Sequence, residues 1–128
     1  MIEQFRIGNY FGNIEDDSIY KVTNIENEIE SLTGICINEM GWQNQTHFHT
    51  IDQVVGIPIN NDWLVKFGFV KMNSFIDKPT VHKDYYIFVN TNTNEVMLSN
   101  LTLPHIQFVH QLQNLYFILS NKELSLNK

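Results

Sequence analysis

His47 and His49 stand two apart, and on a β-strand that spacing puts both imidazoles on one face, where a metal ion could take them together. Two ligands do not hold zinc stably, so Asp52, His82 or Cys36 would have to complete the set, and nothing in the spacing requires that. A partly exposed polar strand is the simpler account of the pair, and no metal is expected. Cys36 lies in the apolar run Gly34-Ile35-Cys36-Ile37, a setting that raises a thiol pKa and argues against a nucleophile. There is no Gly-x-Ser-x-Gly elbow, and the six glycines are too scattered to cradle a phosphate. The carboxylates at Glu15-Asp16-Asp17 and at Glu26, Glu28 and Glu30 stand in polar, turn-like stretches where a solvated charge run is the ordinary explanation. No catalytic residue and no cofactor is therefore assigned, and an enzyme ranks behind binding functions.

A weaker constellation remains. Trp42, Tyr85 and Tyr86 could stack on a flat ring while His47, His49, His82 and Lys83 meet anionic or polar groups, a mixture suited to a small nucleotide-like ligand. Within it Lys83 and Tyr85 share a face if both lie on one strand, offering a cation for phosphate and a ring for the base. The bland alternative is that the aromatics are core and Lys83 is solvated.

The elements that must position these groups read as short strands and two helices. Residues 5–11 and 19–25 alternate apolar with polar or small side chains around a turn, and residues 35–40 and 46–55 are further strand candidates. Asn60-Asn61-Asp62 offers N-cap side chains, Trp63 to Phe67 gives a short helix, and Gly68 is placed for a left-handed C-cap. Residues 69–72, 84–90 and 95–99 look like strands, the last two joined as a hairpin through the Asn/Thr turn at 90–94. From Pro104 to about Leu119 the apolar period becomes 3.6, placing Phe108, Val109, Leu112, Leu115, Tyr116 and Leu119 on one arc. Ile106, His110, Gln113 and Phe117 form a second, mixed patch that a sheet need not cover, the expected interface with a second copy or a host protein, against the alternative that His110, Gln113 and Asn114 satisfy backbone groups of a neighbouring sheet. The fold expected is α+β: a small bent antiparallel sheet or partly open barrel with one short helix and a C-terminal amphipathic helix, in a single domain over residues 1–128.

Composition sets the outer limits. With 43% hydrophobic residues, the chain can bury a core without staples, and its one cysteine fits a reducing compartment. Neither a signal peptide nor an 18-residue apolar span is visible, so a cytoplasmic protein that does not enter a membrane is expected. Asn44-Gln45-Thr46 and Asn100-Leu101-Thr102 match the glycosylation pattern but would go unused there. Residues 1–62 hold two of the eight basic and ten of the 14 acidic residues, a balance of about −8, against about +2 for the remainder. A single arginine and an acidic first half exclude a duplex nucleic-acid surface, while a small anionic ligand near the second-half lysines stays open. Alanine is absent and Asn and Ile are abundant, as in AT-rich genomes.

Three segments together resemble a family of small uncharacterised proteins of Bacteroidetes phages, prophages and mobile elements. These are Arg6-Ile7-Gly8-Asn9 with Tyr20-Lys21-Val22-Thr23-Asn24-Ile25, Ile57-Pro58-Ile59 running into Trp63-Leu64-Val65-Lys66-Phe67-Gly68-Phe69, and Val109-His110-Gln111-Leu112-Gln113-Asn114-Leu115-Tyr116-Phe117. The resemblance implies an origin and, if the gene is phage-borne, the host cytoplasm as the place of action; it transfers no catalytic residues. Two functions follow as expectations. One is a non-catalytic accessory protein that binds and sequesters a small nucleotide-derived defence signal, an anti-defence sponge. The other is a protein-interaction module acting through the C-terminal helix on itself, as a homo-oligomer, or on a host protein.

Overall fold

The computed structural model describes residues 4–15, 18–37, 46–71, 80–84, 87–98, 101–124 and 126, and divides the chain into two compact units, Met1–Ile57 and Pro58–Lys128. The protein is a small, mostly stranded α+β structure with two antiparallel sheets and a C-terminal helix, in keeping with the expected class.

The first unit is a five-stranded antiparallel sheet of β1 (Tyr10–Asn13), β2 (Ile19–Glu26), β3 (Ser31–Cys36), β4 (Thr46–Thr50) and β5 (Val54–Val55), in the spatial order β4-β3-β2-β1-β5. Strands β4 and β5 are the two edges of this sheet, yet only the 3-10 turn Ile51–Gln53 separates them in the chain. Three residues span roughly 10 Å at most, far less than the width of a flat five-stranded sheet at ~4.8 Å per strand. The sheet must therefore curl, and it forms a half-barrel. Its interior is filled by Phe5, Phe11, Tyr20, Val22, Leu32 and Cys36, with Ile25, Ile51 and Val54 packed against them. Each fully buried side chain of this kind contributes about 1.5–3 kcal/mol.

Strand β1 starts five residues later than its alternation suggests. The Arg6 amide donates to Asn9 Oδ1 at 2.7 Å, the Asn9 amide returns to the Arg6 carbonyl at 3.0 Å, and Gly8 takes φ 98°, so residues 6–9 form a closed turn. Likewise β3 runs from Ser31 to Cys36 rather than from residue 35, because Glu30, at φ 48°, closes a tight hairpin directly after β2. The stretch read as one strand over 46–55 is broken by the 3-10 turn into β4 and β5.

The second unit contains α1 (Asn61–Lys66), then a meander of β6 (Val70–Lys71), β7 (Thr80–Lys83), β8 (Ile87–Asn90), β9 (Val96–Leu98) and β10 (Leu101–Thr102), and last α2 (Val109–Ser120). Helix α1 is bounded as its sequence dictates. Asn60 Oδ1 accepts from the Trp63 amide at 3.1 Å, and Gly68 takes φ 86°. The Gly68 and Phe69 amides donate to the carbonyls of Val65 and Leu64, the paired bonds of a Schellman motif.

Helix α2 begins at Val109, five residues after Pro104. Pro58 bridges Phe108 in antiparallel fashion and the Ile59 amide donates to the Gln107 carbonyl at 3.2 Å, which holds residues 107 and 108 extended. Gln111 Oε1 then accepts from the Phe108 amide at 3.0 Å and supplies the missing cap. At the other end Asn121 adopts the left-handed conformation and its amide donates to the Phe117 carbonyl.

Candidate functional site

On β4, His47 and His49 do share one face, and that face is the inside of the half-barrel. They stand opposite Gly34 and Leu32 of β3. The His49 ring is 3% exposed, with its centroid 4.3 Å from that of Tyr20 and 5.2 Å from that of Phe11, and the His47 ring lies 5.5 Å from Tyr20. Phe48, between them, points outward and is exposed. Among the described residues no group of three potential metal ligands converges, so this pair stands as part of an aromatic interior. Tyr20 and Phe11 are buried and stacked on one another at 5.4 Å, leaving neither ring face open to a ligand.

The cationic half of the proposed nucleotide site sits elsewhere in the chain, on β7. His82 and Lys83 are adjacent residues of one strand and point to opposite faces, His82 buried and Lys83 half-buried. The strand ends at Lys83: Asp84 follows at φ 54°, and Tyr116 of α2 donates its hydroxyl hydrogen bond to the Asp84 carboxylate. A carboxylate thus follows the lysine directly in the chain, and the expected pairing of Lys83 with Tyr85 involves a residue outside the described ones. Trp42, Tyr85 and Tyr86 lie outside the described residues.

The mixed patch of the C-terminal helix is corrected more sharply. His110 is 3% exposed and Gln113 fully buried, whereas Leu115 is half-buried, Leu119 is 39% exposed and Ile118 is 78% exposed. The buried stripe is Val109, His110, Leu112, Gln113 and Tyr116, a helix rotated toward its amides and away from the leucines at 115 and 119. Two restraints set that rotation: the bridge at Phe108 and the Tyr116 to Asp84 bond. Burial strips water from the His110 imidazole and pushes its pKa down to about 4, so it is neutral at pH 7. Phe108 stacks parallel to it at 6.0 Å. Ile106 precedes the helix and is half-buried, as is Phe117. His110 and Gln113 are thus interior groups rather than interface groups.

No protein-family model, curated protein or solved structure matches this chain. Among the described residues, no helix is long and apolar enough to cross a membrane.

What the rotation leaves outside is a new surface. At 100° per residue, Gln111, Leu115 and Ile118 fall on one line opposite the buried stripe, with Leu119 at its flank. The helix carries no Asp, Glu, Lys or Arg over its twelve residues. The signal was present in the sequence, since Ile118 lies nearly opposite Tyr116 on a helical wheel, but it was masked by assigning Leu115 and Leu119 to the core.

Proposed function

We propose that the protein is a non-catalytic interaction module that self-associates through the outer face of α2. One observation carries this reading: Ile118 is 78% exposed beside Leu115 and Leu119 on a helix without a charged side chain. Isolated surface hydrophobics need no explanation, but three at adjacent positions of one helix face form a contiguous apolar strip. The chain carries a net charge of −6, and a helix without charged side chains gives two copies a place to meet free of like-charge repulsion. A two-fold axis across α2 would pair each strip with itself. The phage or mobile-element origin implied by the three motifs fits a small accessory protein of this kind.

The competing reading is sequestration of a nucleotide-derived defence signal through Lys83 and the histidines. Light scattering at tens of micromolar, combined with titration calorimetry against cyclic and ADP-ribose-type nucleotides, separates the two. A dimer that binds none of them supports the interaction module. A monomer that binds one of them, with affinity lost in Lys83→Ala, supports the sponge instead.

A further inference from the structure

The second unit also holds an open groove of about 380 Å³, lined by Pro58, Ile59, Thr93, Asn94, Glu95, Leu103, Pro104, Ile106 and Gln107. Its walls are fixed by backbone bonds. Asn94 donates to the Asn90 carbonyl at 2.6 Å, Asn90 to the Glu95 carbonyl at 3.0 Å, Leu103 to the Val96 carbonyl at 2.7 Å, and Ile106 to the Leu103 carbonyl at 3.1 Å.

Tracing the donors decides what the groove can hold. Pro58 and Pro104 have no amide hydrogen. The Ile59, Asn94, Leu103 and Ile106 amides are spent on carbonyls, Thr93 on Asn90 Oδ1, Glu95 on Thr93 Oγ1, and Gln107 on Gln111 Oε1. Among side chains, the Thr93 hydroxyl donates to Glu95 Oε1 and Gln107 Nε2 to the Pro104 carbonyl. No lining residue is Lys, Arg or His. The lining thus has no cation and its backbone donors are spent, while the second Glu95 oxygen and the Asn94 and Gln107 side-chain amides, which both accept and donate, stand beside Pro58, Leu103, Pro104 and Ile106. Among the described residues Glu95 has no ion pair.

A phosphate would meet the Glu95 carboxylate with no cation to offset it, and only side-chain amide hydrogens to bind it. A guanidinium brings five donors and a positive charge on an apolar stem, and is the natural complement. Pro58, Thr93, Glu95, Pro104 and Gln107 are exposed, so the groove is open along its length. That form suits a passing segment of chain better than a small molecule, which needs most of its surface buried. We infer that this groove binds an arginine side chain from an extended peptide segment of another protein, with Glu95 as its charge partner and the two prolines and Leu103 under its methylenes.

The test is amide chemical-shift titration of the full chain with a capped peptide of alternating leucine and arginine, the same peptide with glutamate for arginine, and inorganic pyrophosphate. The arginine peptide should shift residues 93–95 and 103–107 saturably, and the other two should not. Glu95→Gln, a near-isosteric change at an exposed position, should weaken binding about 5- to 10-fold, the scale of one partly screened charge-assisted contact. Ile118→Lys should leave it unchanged, so that this site and the α2 surface fail independently. Absence of saturable shifts, an equal response to the glutamate peptide or pyrophosphate, or undiminished binding by Glu95→Gln would each overturn the inference.

Discussion

A β-carbon added at Gly34 would lie 2.9 Å from the Tyr20 Cβ, closer than real β-carbons approach, and 3.0 Å from the Phe11 ring. Gly34 stands opposite both Val22 and His47, at the centre of the curled sheet. Its missing side chain is the space into which Tyr20 and Phe11 fold.

Gly34→Ala should consequently destabilise the first unit by about 1–3 kcal/mol, the cost of overpacking a filled core. Chemical denaturation and the near-ultraviolet dichroism of the aromatic cluster measure it. A mutant as stable as the parent, with the same aromatic signal, would show that the interior has slack there.

Leu112 is fully buried in α2. Leu112→Ala should lower stability by about 2–5 kcal/mol through lost burial and the cavity left behind. Equal denaturation midpoints for mutant and parent would contradict the burial of this stripe.

Gly68→Val should cost at least 1–2 kcal/mol, since φ 86° at the end of α1 is a left-handed conformation that a β-branched residue resists. Gly68→Asn should cost less, because asparagine tolerates that region. Thermal melts of the pair test the order; valine tolerated as well as asparagine would rule out the left-handed cap.

His110 predicts a pH dependence. Its folded pKa is held near 4, below the ordinary 6.5 of the unfolded chain, so between these values the unfolded state binds the extra proton. The contribution is intact above pH 6.5 and is lost as pH falls toward 4, at up to ~1.4 kcal/mol per pH unit. Denaturation midpoints from pH 7.5 to 5.5 should therefore fall in the parent and fall less in His110→Gln. Parallel profiles would show that His110 is not protonated on unfolding in this range.

How much of this was legible depends on how local each feature is. Helix α1 could be read almost residue by residue, because Asn60, Trp63 and Gly68 carry its caps within the segment. The existence of α2 was legible for the same reason, but its start and rotation were not. Both are set by Pro58, some fifty residues upstream, and by Asp84. Polarity also misled, since Gln113 is wholly interior while Ile118 faces outward. Strand β7 went unread because Thr80-Val81-His82-Lys83 has a weak alternation that only its pairing with β8 completes. For the candidate site, the two-residue spacing placed His47 and His49 on one face correctly, yet whether that face looks inward or outward follows from the curl of the sheet, which the spacing alone does not contain.

Sedimentation velocity of the parent and Ile118→Lys over 5 to 200 micromolar, a range chosen on the order of typical transient-dimer affinities, tests the central claim most directly. Ile118 is 78% exposed, so the lysine should leave the fold intact while placing two like charges at the two-fold contact. The account predicts a concentration-dependent dimer for the parent and a monomer throughout for Ile118→Lys, with identical dichroism. A parent that is monomeric over the whole range, or a lysine variant that dimerises as strongly as the parent, would contradict self-association through this face of α2.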